Sequence, residues 1–143
     1  MPIRYVIFTL SVAFFAIYAL KRDYDTPPTV DPALEVYVNE WKRDMDSAGI
    51  SYLGVFNQID NIILYDGPEY GLSHIRKIKI NRKLLESEWL LRQTVYHELG
   101  HNVFDLKHGA QLSIMHAQDL GESFYKNNWD QIKIEYIRKC KGE

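Results

Sequence analysis

Residues 97–101 read His97-Glu98-Leu99-Gly100-His101. On a helix, side chains four apart lie on one face, a turn above one another, so two imidazoles at this spacing can bind one ion. Glu98 then stands beside them, where a carboxylate can take a proton from water held by that ion. One helical turn thus offers a metal site and a general base. Two imidazoles do not complete a catalytic zinc site, which takes three protein ligands and leaves a position open. Four of the five histidines fall between positions 97 and 116. The candidates for the third ligand are therefore local: Asp105, His108, His116 and Glu122.

The elements that must position these residues are legible from periodicity. Ser87 reads as the cap of a helix carrying Trp89, Leu90, Leu91, Val95, Tyr96, Leu99, Val103 and Phe104. Apolar residues cover most of its circumference, so it is expected to be buried on several sides. If that helix simply continued, His108 would lie two turns beyond His101, about 10 Å along the axis, too far to share an ion. Using His108 requires a break, with Asn102 or Asp105 the residue to adopt the left-handed conformation. Upstream, Asp31-Pro32 reads as a helix start, followed by Leu34, Tyr37, Val38, Trp41, Met45 and Ala48 at helical spacing and by Gly49. Between positions 50 and 83 the texture becomes β-like. Residues 52–56, 59–65 and 74–81 predict about three short strands in one sheet, with a turn at 66–68. A last helix is expected over 122–139.

Composition bounds the function. The net charge is −2, and nothing in it points to nucleic acid as a partner. The basic run Arg76, Lys77, Lys79, Arg82 and Lys83 reads instead as protection of an exposed strand edge. His74 reads as a strand-surface residue. Cys140 is the only cysteine, so no internal disulfide forms. Residues 5–20 carry no charge, follow Arg4 and stop at Lys21-Arg22. They read as an uncleaved membrane anchor or a signal segment, and either carries the body out of the cytoplasm. The organisation expected is a hydrophobic segment over 1–20, a polar Pro-containing linker over 21–31 and one domain over 32–143.

The stretch HELGHNVFDLKHG, followed by Ser113-Ile114-Met115-His116, resembles the metzincin clan of zinc metallopeptidases, with its HExxHxxGxxH motif and Met-containing turn. The likeness covers roughly residues 87–118. It implies a small α+β metzincin-like fold: an N-terminal helix, a short-stranded sheet, the active-site helix, a Met-turn and a C-terminal helix. It also implies His97, His101 and His108 as zinc ligands, Glu98 as the base and Met115 as the turn residue. The clan's glycine falls at Phe104 here and its third histidine at Lys107, so His108 comes one residue late and no glycine lies between 102 and 108. A zincin of the gluzincin type would instead draw a Glu ligand from a later helix, where Glu122 stands.

The reaction so implied is hydrolysis of a peptide or protein substrate by zinc-bound water, with Glu98 as general base. Residues 74–81 are the candidate edge along which an extended substrate would pair. The alternative is a zinc-binding interaction domain of little or no activity, anchored to a membrane.

Overall fold

A computed structural model describes residues 26–143. The uncharged segment 5–20 lies outside the described residues, and no described helix is long and apolar enough to cross a membrane. The architecture is α+β. In chain order it runs β1 (Thr29–Val30), α1 (Glu35–Ser47), α2 (Leu53–Phe56), β2 (Asn61–Tyr65), β3 (Gly71–His74), β4 (Lys77–Asn81), a 3-10 turn (Arg82–Glu86), α3 (Glu88–Phe104) and α4 (Glu122–Cys140). One sheet has the order β1-β2-β4-β3; β1–β2 and β2–β4 pair in parallel and β3–β4 antiparallel.

Three sequence expectations need correction. Residues 52–56 form the helical turn α2 rather than a strand. The Phe56 N–H bonds to the Tyr52 carbonyl at 2.9 Å, which brings both rings against Trp41, with centroids 5.1 and 5.9 Å away. Aromatic burial here outweighs strand propensity. The run 74–81 is not one strand. Ile75 and Arg76 make the tight turn of a hairpin, with Arg76 at φ 67°, and Asp60 anchors it. The Arg76 guanidinium pairs with the Asp60 carboxylate at 2.8 Å, and the Asp60 N–H donates to the Arg76 carbonyl at 2.7 Å. The strand before this turn, β3, carries Gly71 and Ser73, which weaken any period-two signal. The edges of the sheet are β1 and β3; β4 lies inside, between β2 and β3, so its lysines guard no edge. Finally, Thr29–Val30, expected within a linker, pairs with Asn61–Ile62.

Helix α3 is the centre of the body. The Leu90 N–H donates to the Ser87 hydroxyl at 3.4 Å at its start, and residues 93–100 are all buried. It packs on β3 and β4 on one side and on α1 and α4 on others. This explains the all-round apolar pattern: a helix enclosed on several sides has no solvated face. A polar tie joins the three long helices at one point. The Tyr136 hydroxyl donates to the Tyr96 carbonyl at 2.8 Å and accepts from Trp41 Nε1 at 3.0 Å. The Tyr96 hydroxyl in turn donates to Asp44 Oδ2 at 2.7 Å, and Asp44 pairs with Lys133 at 3.3 Å. The tie sits one residue before His97, so it fixes the stretch of backbone that carries His97.

Tyr136→Phe leaves the buried Trp41 Nε1–H without an acceptor. The substitution is expected to lower the unfolding free energy by about 1–3 kcal/mol, measured by urea denaturation. An unchanged midpoint would show that the hydroxyl ties nothing together.

Candidate metal centre

His97 and His101 project from consecutive turns of α3, and His108 returns to them from beyond its end. The three Nε2 atoms form a nearly equilateral triangle: His97–His101 and His101–His108 are 3.0 Å apart, and His97–His108 is 3.1 Å. Their tautomers follow from their other ring nitrogens. His97 Nδ1 lies 2.8 Å from the Ile114 carbonyl and His101 Nδ1 lies 2.6 Å from the Leu106 carbonyl. A carbonyl only accepts, so each Nδ1 carries the hydrogen and each Nε2 presents a lone pair. Lone pairs converging at this distance repel unless a cation sits among them. Burial holds His97 down at about 4 and lowers His101 as well, so both are neutral and ready to ligate near pH 7. Tetrahedral Zn–N bonds of about 2.0–2.1 Å place ligand nitrogens about 3.3–3.4 Å apart. The triangle is slightly tighter than that and fits. His97, His101 and His108 can together hold a metal ion.

The return of His108 depends on how α3 ends. Asp105 takes the left-handed conformation at φ 51°, ψ 30°, which a short polar side chain tolerates better than most. Its N–H still bonds to the His101 carbonyl, while the Leu106 N–H reaches back to Gly100, both at 3.1 Å. The break thus turns the Leu106 carbonyl toward His101 Nδ1. The chain reversal that brings in the third ligand also orients the second.

Residues 113–116 lie beneath the site. The Ile114 carbonyl accepts from His97 Nδ1 and, at 3.0 Å, from Gln93 Nε2. The Gly109 N–H donates to the Met115 carbonyl at 3.1 Å, tying the residue after His108 to the same turn. Met115 is buried and packs on the back of α3 at Gly100. A Cβ at Gly100 would stand 2.9 Å from Met115 Sδ and 3.0 Å from a Tyr136 ring carbon. The fourth residue of the HELGH stretch therefore has a packing reason to lack a side chain.

Glu98 faces the opposite wall, the edge strand β3. It is buried, and burial pushes its carboxyl up from 4.5 to about 7. A Cβ on Gly71 would come within 2.4 Å of Glu98 Oε1, so a side chain here would have to push the carboxylate from its place. Asn102 fastens the strand from below: its Nδ2 donates to the His74 carbonyl at 2.8 Å and to Ser73 Oγ at 3.1 Å. An open cleft of about 820 Å³ runs between residues 69–75 on one side and residues 105–108 and 116–119 on the other, with His97, Glu98 and His101 on its floor.

The other ligand candidates stand apart. Asp105 serves as the helix break and His116 lines the cleft; neither joins the cluster, nor does Glu122 at the start of α4. His74 lines the cleft from the end of β3. Sequence reasoning overlooked Gln93 and Gly71, and considered Asn102 only as the helix break, a role that Asp105 takes. Gln93, four residues before His97 and on the same helical face, carried a signal; Gly71 and Asn102 act across the fold and carried none. No protein-family model, curated protein or solved structure matches the chain. Fold and site define a small α+β domain with a three-imidazole cluster that could hold a metal ion.

The buried Glu98 carboxyl makes metal-free stability depend on pH. A carboxyl raised in the folded state favours folding fully below its unfolded value near 4.5, and that contribution is lost as pH rises through about 7. Glu98→Gln removes the dependence. Metal-free Glu98→Gln is therefore expected to exceed the parent in stability at pH 8 by up to about 3 kcal/mol, with the gap closed by pH 4. Urea titrations at both pH values measure this; a gap of the same size at each contradicts it.

Proposed function

We propose that this chain is a zinc-dependent metallopeptidase of the metzincin type. One observation carries the reading. Three imidazole Nε2 atoms meet within 3.0–3.1 Å on the floor of an open cleft, with a buried carboxyl one residue from the first of them. His97, His101 and His108 hold the ion. Zinc bound there supplies Lewis acidity, lowering the pKa of water toward about 7 and polarising a carbonyl. The remaining work falls to the chain's own residues.

Glu98 takes a proton from the attacking water as its oxygen adds to the scissile carbonyl carbon. It returns that proton to the amine nitrogen as the C–N bond breaks. Burial raises this carboxyl in the metal-free chain, and a dication bound beside it would favour the ionised form that accepts the proton. Edge strand β3 offers unpaired backbone N–H and C=O groups to an extended peptide. In this role it replaces β4, which the sequence had suggested. Gly71 permits the strand to approach Glu98, and Asn102 holds it there. Segment 5–20, as anchor or signal, places the body outside the cytoplasm.

Glu98→Gln is expected to keep one zinc per chain and to lower kcat/KM on a mixed peptide library by about 10²–10⁴-fold. His108→Ala is expected to lose the zinc. Zinc retained by a parent that cleaves nothing, or equal turnover by parent and Glu98→Gln, removes the peptidase reading and leaves a zinc-binding interaction domain. Gly71→Ala is expected to keep zinc but to lose about tenfold or more in kcat, because the new methyl displaces the carboxyl from its place. Unchanged kcat would show that strand and base are independent.

A further inference from the structure

The sheet has two faces, and only one is used by the core. Ile62, Ile78 and Ile80 are fully buried on the inner face, which also carries Gly71 against Glu98 and Ser73 against Asn102. Strand alternation therefore sends Asn61 and Asn81 to the outer face, Asn81 being buried where it donates to the Gly67 and Glu69 carbonyls. It sends six further residues there, Ile63, Tyr65, Leu72, His74, Lys77 and Lys79. All six are half-exposed or exposed, and none belongs to the core cluster. The register sets Lys79 between Ile63 and Leu72, and Lys77 beside His74. Lys79 Nζ lies 5.9 Å from the Tyr65 ring centroid.

The two lysines of this face lack direct ion-pair partners. Among the described residues neither Lys77 nor Lys79 has a carboxylate within ion-pair distance, whereas the nearby Arg76 and Arg82 pair with Asp60 and Asp66. Asp60, close enough to Lys77 to feel its charge, is engaged by Arg76. A positive, part-apolar face persists on a chain whose net charge is −2.

We infer that the outer face of the sheet docks an acidic, extended segment of the protein substrate, using Lys77 and Lys79 flanked by Ile63 and Leu72. The inference rests on the peptidase reading for what the docked protein becomes, not for the docking. Lys77 and Lys79 are two residues apart on a strand, about 6.8 Å, which matches acidic side chains at alternate positions of an extended peptide. They stand one strand in from β3, the edge that borders the cleft. A segment held here keeps the rest of the same chain near Glu98 and raises its effective concentration there. Two uncommitted lysines are few for a nucleic-acid backbone, which carries a phosphate every 3.4 Å or so along each strand. A lipid surface would call for apolar side chains projecting beyond the lysines, but Ile63 and Leu72 are half-buried in the pleat.

The test uses the full chain carrying Glu98→Gln, so that binding is read without turnover. The probe is a fluorescent peptide alternating Glu with apolar residues, compared with a twin bearing Lys in place of Glu. Anisotropy is expected to show the acidic peptide bound and its twin not. Affinity should fall about tenfold or more in Lys77→Glu/Lys79→Glu, by less in Lys77→Gln/Lys79→Gln, and further as salt rises. Thermal melts check that both double variants remain folded. Equal affinity of the acidic peptide for parent and charge-reversed variant overturns the inference. So does a reversal that abolishes binding of single-stranded oligonucleotide or phosphatidylglycerol vesicles while leaving peptide binding unchanged. With Glu98 restored, Lys77→Glu/Lys79→Glu is expected to raise KM about tenfold for a substrate bearing the acidic segment, and not for a short neutral one. An absence of all turnover counts against the peptidase reading alone, since the anisotropy result stands apart from it.

Discussion

His97 and His101 each commit their Nδ1–H to a backbone carbonyl, of Ile114 and Leu106 respectively, and most of the molecule is arranged around that constraint. Once those hydrogens are placed, both Nε2 lone pairs point at one spot, and His108 adds a third nitrogen at 3.0–3.1 Å. Together the three nitrogens make a donor set that could hold a cation. The two carbonyls come from different segments, one just after the break in α3 and the other in the turn containing Met115. Both segments must therefore be held in place for the triangle to exist.

What holds them is the packing around α3. A helix buried along residues 93–100 cannot rotate about its axis without dislodging large side chains from a dense core. The tie among Trp41, Tyr136 and the Tyr96 carbonyl adds direction to that packing, one residue before the first ligand. Gly100 lets Met115 and Tyr136 close against the helix from behind, and Gly71 lets β3 close over Glu98 from in front. The low-dielectric surroundings so made keep His97 neutral and lift the Glu98 carboxyl. The neutral imidazole of His97 and the raised carboxyl of Glu98 thus share one physical cause, the burial of a single helix.

Much of this was legible one residue at a time. The HELGH spacing depends only on helical geometry, so it could be read before any fold was known. The need for a break before His108 followed from the same geometry, and Asp105 was one of two residues named for it. The helices α1, α3 and α4 announced themselves through periodicity, and α3 also through its Ser87 cap, whereas α1 starts at Glu35 with Leu34 as its cap rather than at Asp31-Pro32. The sheet was harder. Residues 52–56 have the composition of a strand, yet Tyr52 and Phe56 are drawn into a helical turn by Trp41, a partner remote from their local sequence. Strand β3 contains Gly71 and Ser73, which are poor strand formers, and it exists because β4 pairs with it and Asn102 fastens it.

The sequence by itself determined the chemistry available: two imidazoles and a carboxylate in one helical turn, with a further histidine seven residues on. Those relations are local, and the 3.6-residue repeat of a helix enforces them wherever the chain goes. Tertiary structure alone decided that His108, rather than Asp105, His116 or Glu122, meets the other two, and that the Ile114 carbonyl sets the tautomer of His97. It also decided which strand became the edge above Glu98 and which lysines were left on an open face. Each of those outcomes depends on contacts between segments far apart in the chain, where no periodicity relates one residue to another.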